Sequence, residues 1–470
     1  MPVIGLEERA YFQVKSLVEA RRNTFKSPKP DASRLLAFDL LTEVNRNGGF
    51  SNLLLPQALS ASSLDERDRS FVTELLYGTL RMQGKHDWVL AQVSDRPWSE
   101  VDAGIVDIAR MGVHQIHEMR VPDHAAVGAT VEVARKRIGE SKASFVNALL
   151  RNVTRTSIED WFAPLAEISD PVERFSIQYS HPQWIISAYF DLLKDWDAVK
   201  SLLSINNVAA KPTLVAWPGR SSQDELVKLG GVATQYSSYG AHFDGAPGTL
   251  EVIRHRNAGV QDEGSQLVTT VFASAISKKK KWLDLCAGPG GKAALLSSIA
   301  KENGVEFTAN ELSTPRAQLV KQVVAGARVW AGDGREVSTH GETFDAILID
   351  APCTGLGALR RRPEVRWRRS VQDLRELTQL QRELLEGAYE VLEQDGILGY
   401  ATCSPHLAET QVQVMDLLKR HPDLEQIPID DLMPKNLEGA TRSGSMTLWT
   451  HIHGTDAMFL ALFRKKSSPK

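Results

Sequence analysis

The chain is expected to be multidomain: an all-α N-terminal domain, a small α+β module, and a C-terminal α/β domain with a doubly wound parallel sheet. Three observations predict this. Before residue 155 apolar residues recur at helical spacing and no convincing strand is found. After Lys278-Lys279-Lys280-Lys281, short apolar strands alternate with helices, the rhythm of a parallel sheet covered on both faces. At 470 residues the chain also exceeds one ordinary domain.

Residues 1–30 carry Arg21, Arg22, Lys26 and Lys29 among Ser27, Pro28 and Pro30, and read as a flexible basic arm. Asp31 can cap a helix on which Leu36, Leu40, Leu41 and Val44 share a face, stopped by Asn47-Gly48-Gly49. Helical blocks over 65–82, 85–93, 101–117, 124–138 and 145–155 complete a domain over 31–155. Residues 156–270 read as a small α+β linker module. It has a helix over 161–177, a second opened by Ser180-His181-Pro182, and short strands over 213–217 and 250–253. Over 271–470, strands are expected at 282–286, 305–311, 328–332, 344–350 and 397–402, with helices at 290–301, 314–325 and 371–392. Segments 448–451 and 458–463 are expected to close the sheet as an antiparallel edge pair.

With 42% hydrophobic residues the chain can build sizeable cores, and its net charge of −3 means that any nucleic-acid surface must be local. No apolar run approaches a membrane span, and the start lacks a basic then apolar leader, so a reduced, cytoplasmic protein is expected. The three cysteines, Cys286, Cys353 and Cys403, each lie at the end of an expected strand. Their odd number argues against a disulfide framework, and without a CxxC pair or HxxxH partner no metal site is expected.

Cys286-Ala287-Gly288-Pro289-Gly290-Gly291-Lys292 links the first of these strands to a helix. Glycines let the backbone approach a ligand, and a helix start offers open N–H groups. The loop is neither a GxxxxGK[ST] frame nor GxGxxG. Glu311 and Asp333, at the next two strand ends, could accept from ribose hydroxyls and from an adenine amino group. Together they favour an adenosine-containing cofactor, with S-adenosyl-L-methionine the leading candidate.

Cys353, in Asp350-Ala351-Pro352-Cys353, and Cys403, in Ala401-Thr402-Cys403-Ser404, should face the same crevice. Two thiols beside a methyl donor suit methylation of cytosine C5, a poor nucleophile until a thiolate adds to C6. Asp350 could hold the N3 and amino edge of the base. The residues alone do not say which thiol attacks.

These segments, with Asn310-Glu311, Gly332-Asp333-Gly334 and Val260-Gln261-Asp262-Glu263-Gly264-Ser265-Gln266, resemble the RNA cytosine-C5 methyltransferase family. The helical region, notably Phe145-Val146-Asn147-Ala148-Leu149-Leu150-Arg151-Asn152, resembles the NusB antitermination fold. The resemblance implies a Rossmann-like class I methyltransferase domain, Cys403 as nucleophile, Cys353 assisting breakdown of the covalent adduct, and a cofactor site at Cys286 through Lys292, Glu311, Asp333 and Asp350. The fusion is similar to bacterial enzymes acting on 16S ribosomal RNA, so that RNA is the expected partner of a monomeric protein. The same chemistry on transfer RNA, or a non-catalytic antitermination factor, are the alternatives. Gly288 and Ala293 stand where the family more often has Ala and Thr, and Asp456-Ala457-Met458-Phe459 where it has Asp-Gly-Phe-Phe.

Arg360, Arg361, Arg362, Arg366, Trp367 and Arg368 follow the Cys353 loop directly. They are expected to face RNA, arginines on phosphates and Trp367 on a base.

Overall fold

A computed structural model describes residues 31–324 and 326–467; the basic arm expected over 1–30 lies outside them. Two compact units meet in sequence at Ile168 and Ser169.

The first unit is helical. Asp31 caps the Ala32–Asn47 helix by accepting from the Ser33 and Arg34 amides, and Gly48 ends it at φ 74°. Helices Glu66–Arg81, Gln83–Val93, Ala103–His117, Asp123–Ile138 and Glu140–Val153 follow. Leu41, Leu75, Leu76, Val89, Ile108 and Leu150 are buried in their common core. A helix at Ser51–Ala61 was not expected: Pro56 interrupts its pattern and only Ser51 and Leu55 are buried. Trp161 and Phe162 pack on the same core, which carries this unit to Ile168 rather than 155. The single helix expected over 161–177 is instead two, Ile158–Phe162 and Pro171–Gln178, separated by a tight turn containing Pro164. Pro171 opens the second, under an Asp170 cap.

The second unit begins with helices Pro171–Gln178, Gln183–Leu193 and Trp196–Asn206. A small antiparallel sheet follows, β1 (Thr213–Ala216), β2 (Val232–Ala233), β3 (Gly240–His242) and β4 (Ala258–Val260), in the order β2-β3-β1-β4. The strand expected over 250–253 is a helical turn, Glu251–Arg254, with only Val252 buried; β4 takes its place in the sheet.

The main sheet holds β5 (Lys281–Asp284), β6 (Glu306–Glu311), β7 (Arg328–Ala331), β8 (Phe344–Asp350) and β9 (Leu392–Thr402), all parallel in the order β7-β6-β5-β8-β9. β13 (Phe459–Lys465) runs antiparallel beside β9. The other side of β13 is shared by β10 (Leu424–Ile427) and β12 (Ser445–Thr447), with β11 (Thr441–Arg442) outermost. The edge strand expected over 448–451 therefore lies earlier, and Thr450–His453 is helical. Burial on both faces explains the continuous apolar runs, as in Ala346, Ile347, Leu348 and Ile349 of β8, all inaccessible. The chain leaves β5 toward β6 and β7, then returns to β8 on the other side. This reversal opens a crevice beyond the carboxyl ends of β5 and β8.

Candidate active site

Five chemically active positions end neighbouring strands at this edge. β5 ends in Asp284, whose loop enters the Gly291–Glu302 helix through Gly290 at φ 117°. A side chain at Gly290 would be strained by that φ and would meet Val323 Cγ2 at 2.7 Å. Gly290 at the N-cap offers no side chain to the first amides of this helix, which leaves them open to a ligand. Glu311 ends β6 and accepts from the Gly288 amide (3.0 Å) and the Ser313 amide (3.0 Å). A Cβ at Gly288 would come within 2.0 Å of Glu311 Oε2, so the bare glycine lets loop and carboxylate close on one another. A carboxylate has about four lone-pair sites, which leaves Glu311 capacity for ribose hydroxyls. Loop, helix start and Glu311 thus fit an adenosine-containing group. Asp333 follows β7 but is engaged by the backbone amide and guanidinium of Arg335, which hold its carboxyl below the usual range. It is less open to an adenine amino group than the sequence suggests.

The Asp284 carboxyl is inaccessible to solvent. Burial, and then the charge of Asp350, push it up to about 8, against lowering by Lys292 and the Cys286 amide. Burial likewise pushes the Cys286 thiol up, with Asp284 and Asp350 adding to it, so Cys286 offers no ready thiolate. Lys292 reaches across to donate to Asp350 Oδ2 at 2.9 Å. Burial works against its charge, but Asp350 outweighs it and keeps the ammonium protonated.

The remaining thiols do meet. Asp350 of β8 is in register with Ala401 of β9, and just beyond them Cys353 Sγ and Cys403 Sγ are 3.3 Å apart. They are not equivalent. The hydrogen bond from Cys353 draws Cys403 below the ordinary thiol range, to about 7, against burial; Arg362 and Lys292 add to the lowering and Asp350 opposes it. Cys353 is pushed well above that range by the same hydrogen bond, by burial, and by the charges of Cys403, Glu409 and Asp350. The Arg362 Nη2 donates to Cys403 Sγ at 3.8 Å. On the other side, Glu409 accepts from the Thr354 amide (2.7 Å), from the Thr354 hydroxyl and from Gln381 (3.1 Å). Gln381 also donates to the Pro352 carbonyl at 2.9 Å, and the Gly357 amide donates to the Cys403 carbonyl at 2.9 Å. The two cysteine loops are thereby tied together.

The arginine run is placed differently from the expected RNA-facing strip. Arg366 is fully buried and donates to the Ser180 and Asn206 carbonyls and to Asn207 Oδ1. Arg360 reaches the Gly454 carbonyl at 2.8 Å and Asp456 at 3.5 Å. Arg361 is paired with Asp262 at 2.5 Å and Asp456 at 3.2 Å. These three arginines pin the segment to the protein, because partners distant in sequence supply acceptors that a local reading cannot see. Trp367 and Arg368 lie half-buried on the short Val365–Arg368 helix. Sequence reasoning missed Glu409, Gln381 and the inward turn of Arg362. Arg362 and Glu409 lie within ten residues of a cysteine motif, whereas Gln381 lies in the middle of the Val371–Val391 helix and carried no local signal.

Residues 271–464 match the family described as 16S rRNA methyltransferase RsmB/F, and residues 31–155 match the NusB family. A Mycobacterium tuberculosis protein is 39% identical over 444 residues, spanning 93% of this chain and 97% of its own length. Ribosomal RNA small subunit methyltransferase B of Pseudomonas putida is 30% identical, spanning 86% of this chain and 91% of its own. Among solved structures, PH0851 has a TM-score of 0.78 at 21% identity, covering 93% of this chain and 99% of that one. NSun6 from Pyrococcus horikoshii has a TM-score of 0.52 at 16% identity, covering 61% and 99%. Those two likenesses concern the fold; the sequence relatives, matched over nearly their whole lengths, carry the assignment. The chain belongs to the 16S rRNA methyltransferase RsmB/F family, RNA methyltransferases that use S-adenosylmethionine.

Proposed function

We propose that this protein methylates C5 of a cytosine in RNA through a covalent adduct with Cys403, and that the RNA is 16S ribosomal RNA. One observation carries the chemistry: two thiols 3.3 Å apart at the crevice, with a guanidinium hydrogen-bonded to Cys403. The RNA assignment rests on the family description and on the name borne by the Pseudomonas putida relative. The setting proposed is a monomer in the cytoplasm; among the described residues no helix is long and apolar enough to cross a membrane.

The target cytosine must leave its stack to reach the strand ends. Cys403, as thiolate, forms a bond to C6 and its electron pair moves the ring toward an enamine, making C5 nucleophilic. Asp350 can accept from the exocyclic amino group of the base, and the Lys292 ammonium that donates to it is the cation that can offset the negative charge developing at N3. S-adenosylmethionine, when bound at the glycine loop, Glu311 and Asp333, supplies the electrophilic methyl group. C5 then holds both methyl and proton. Once Cys403 is tied up in the C–S bond, the first cause of the raised Cys353 pKa has gone. After its own proton has passed to solvent, Cys353 as thiolate takes the C5 proton, and the C6–S bond breaks with return of the electron pair to Cys403.

Two variants test this on the full chain with RNA substrate. Cys353→Ser should accumulate an RNA adduct that survives denaturing electrophoresis, whereas Cys403→Ser should form none and methylate nothing. Adduct from Cys403→Ser, with normal turnover by Cys353→Ser, would reverse the two roles.

A further inference from the structure

We propose that Arg362 and Glu409, on opposite sides of the thiol pair, decide which cysteine attacks: Arg362 stabilises the charge on Cys403 and Glu409 keeps the proton on Cys353. This rests on the reading of Cys403 and Cys353 as an attacking and a resolving thiol.

The arginine run itself explains why one guanidinium is aimed inward. Arg360 and Arg361 are anchored on Asp456, Asp262 and the Gly454 carbonyl. Arg366 is locked among Ser180, Asn206 and Asn207. Between these anchors the chain turns, with Arg361 and Arg362 both donating their amides to the Ala358 carbonyl. Gly355, at φ 75°, leaves room for the guanidinium: even a Cβ there would stay 3.7 Å from Arg362 Nη2. Nη2 is thereby delivered to Cys403 Sγ, 3.8 Å away. A phosphate-binding arginine would point outward from such a loop.

Glu409 is the counterpart. It is inaccessible to solvent, and a backbone amide, a hydroxyl and a side-chain amide all donate to it. Its acceptance from Thr354, the residue after Cys353, sets a negative group against the Cys353 side of the pair. With the sulfurs 3.3 Å apart, one proton serves both, and opposed charges give it a preferred side. The charged or titratable groups acting on Cys403 include Cys353, Arg362, Lys292 and Asp350, and those acting on Cys353 include Cys403, Glu409, Asp350 and Tyr400; the charge of Arg362 is felt at both sulfurs, but its hydrogen bond goes to Cys403. Lys292 and Asp350 are spent largely on one another, which leaves Arg362 and Glu409 as the asymmetric pair.

The test needs no RNA. The full-length protein is alkylated with iodoacetamide at limited time over a pH series, and peptide mass spectrometry scores Cys403 against Cys353. Wild type should label Cys403 first. Arg362→Gln should raise the midpoint for Cys403 by about one pH unit and slow its labelling at neutral pH roughly fivefold, while Arg362→Lys recovers much of it. Glu409→Gln should raise Cys353 labelling relative to Cys403, and carries the test if Arg362→Gln does not fold. A folded Arg362→Gln with an unmoved Cys403 midpoint would overturn the proposal. An unchanged labelling ratio in folded Glu409→Gln would remove the Glu409 half. Adduct formation by Cys353→Ser reports separately on the cytosine chemistry, so either idea can fail while the other stands.

Discussion

The proposed attack requires Cys403 as a thiolate, and a free thiol of pKa about 8.5 is only a few per cent ionised at neutral pH. In the folded protein the partner thiol and Arg362 draw it to about 7. The active form is the deprotonated one, so activity persists above that value and falls about tenfold per pH unit below it. The acid limb of kcat/KM should therefore have its midpoint near 7; a wild-type midpoint near 8.5 would mean that the pair does not activate Cys403. The same lowering is a stability term. It is fully present above the unfolded thiol pKa and is lost as pH falls through about 7, whereas the raised Cys353 withdraws stability at alkaline pH. At this scale the sequence displayed both thiols but not their inequality. Arg362 lies 41 residues before Cys403, and Glu409 lies 55 residues after Thr354. Only the fold brings those charges to the sulfurs.

Elements whose boundaries follow from local chemistry were legible. Asp31 and Gly48 bracket the first described helix as capping residues do, and Ser370 with Asp373 forms a capping box at the start of Val371–Val391. Where an element depends on partners from elsewhere, the local pattern misled. The segment over 448–451 has strand-like composition, yet β13 takes Ser445–Thr447 as its partner and the following residues turn helical. The arginine run is the larger case, since composition cannot distinguish a solvated guanidinium from one enclosed by carbonyls. Arg366 joins its short helix to the chain around Ser180 and to the end of the Trp196–Asn206 helix through hydrogen bonds to Ser180, Asn206 and Asn207. Arg366→Ala should destabilise the protein by roughly 3 kcal/mol or more, from the lost buried hydrogen bonds and the cavity left behind. Denaturant unfolding measures that loss. The salt dependence of RNA binding, assayed at a temperature where the variant stays folded, should keep its wild-type slope. A shallower slope with unchanged stability would return Arg366 to the phosphate backbone.

Across the whole chain, the alternation of strand and helix after residue 280 was sufficient to foresee a parallel sheet with a crevice, and the absence of strands before 155 to foresee a helical unit. The extent of that unit was not foreseeable, because Trp161 and Phe162 join its core by packing rather than by periodicity. The fusion of a NusB-family region with an RsmB/F methyltransferase region in one chain narrows the substrate more than any single contact does. A net charge of −3, with several arginines committed to internal partners, leaves little general attraction for polyanions, so selection of one RNA site must come from local recognition. On the proposed function, the expected consequence is a single lost modification rather than a diffuse one. In a strain lacking this protein, bisulfite sequencing should find one 5-methylcytosine missing from 16S ribosomal RNA, with transfer RNA unchanged. The wild-type chain should restore it and Cys403→Ser should not. Loss of the mark from transfer RNA instead would keep the chemistry and overturn the substrate. Restoration by Cys403→Ser would overturn the chemistry itself.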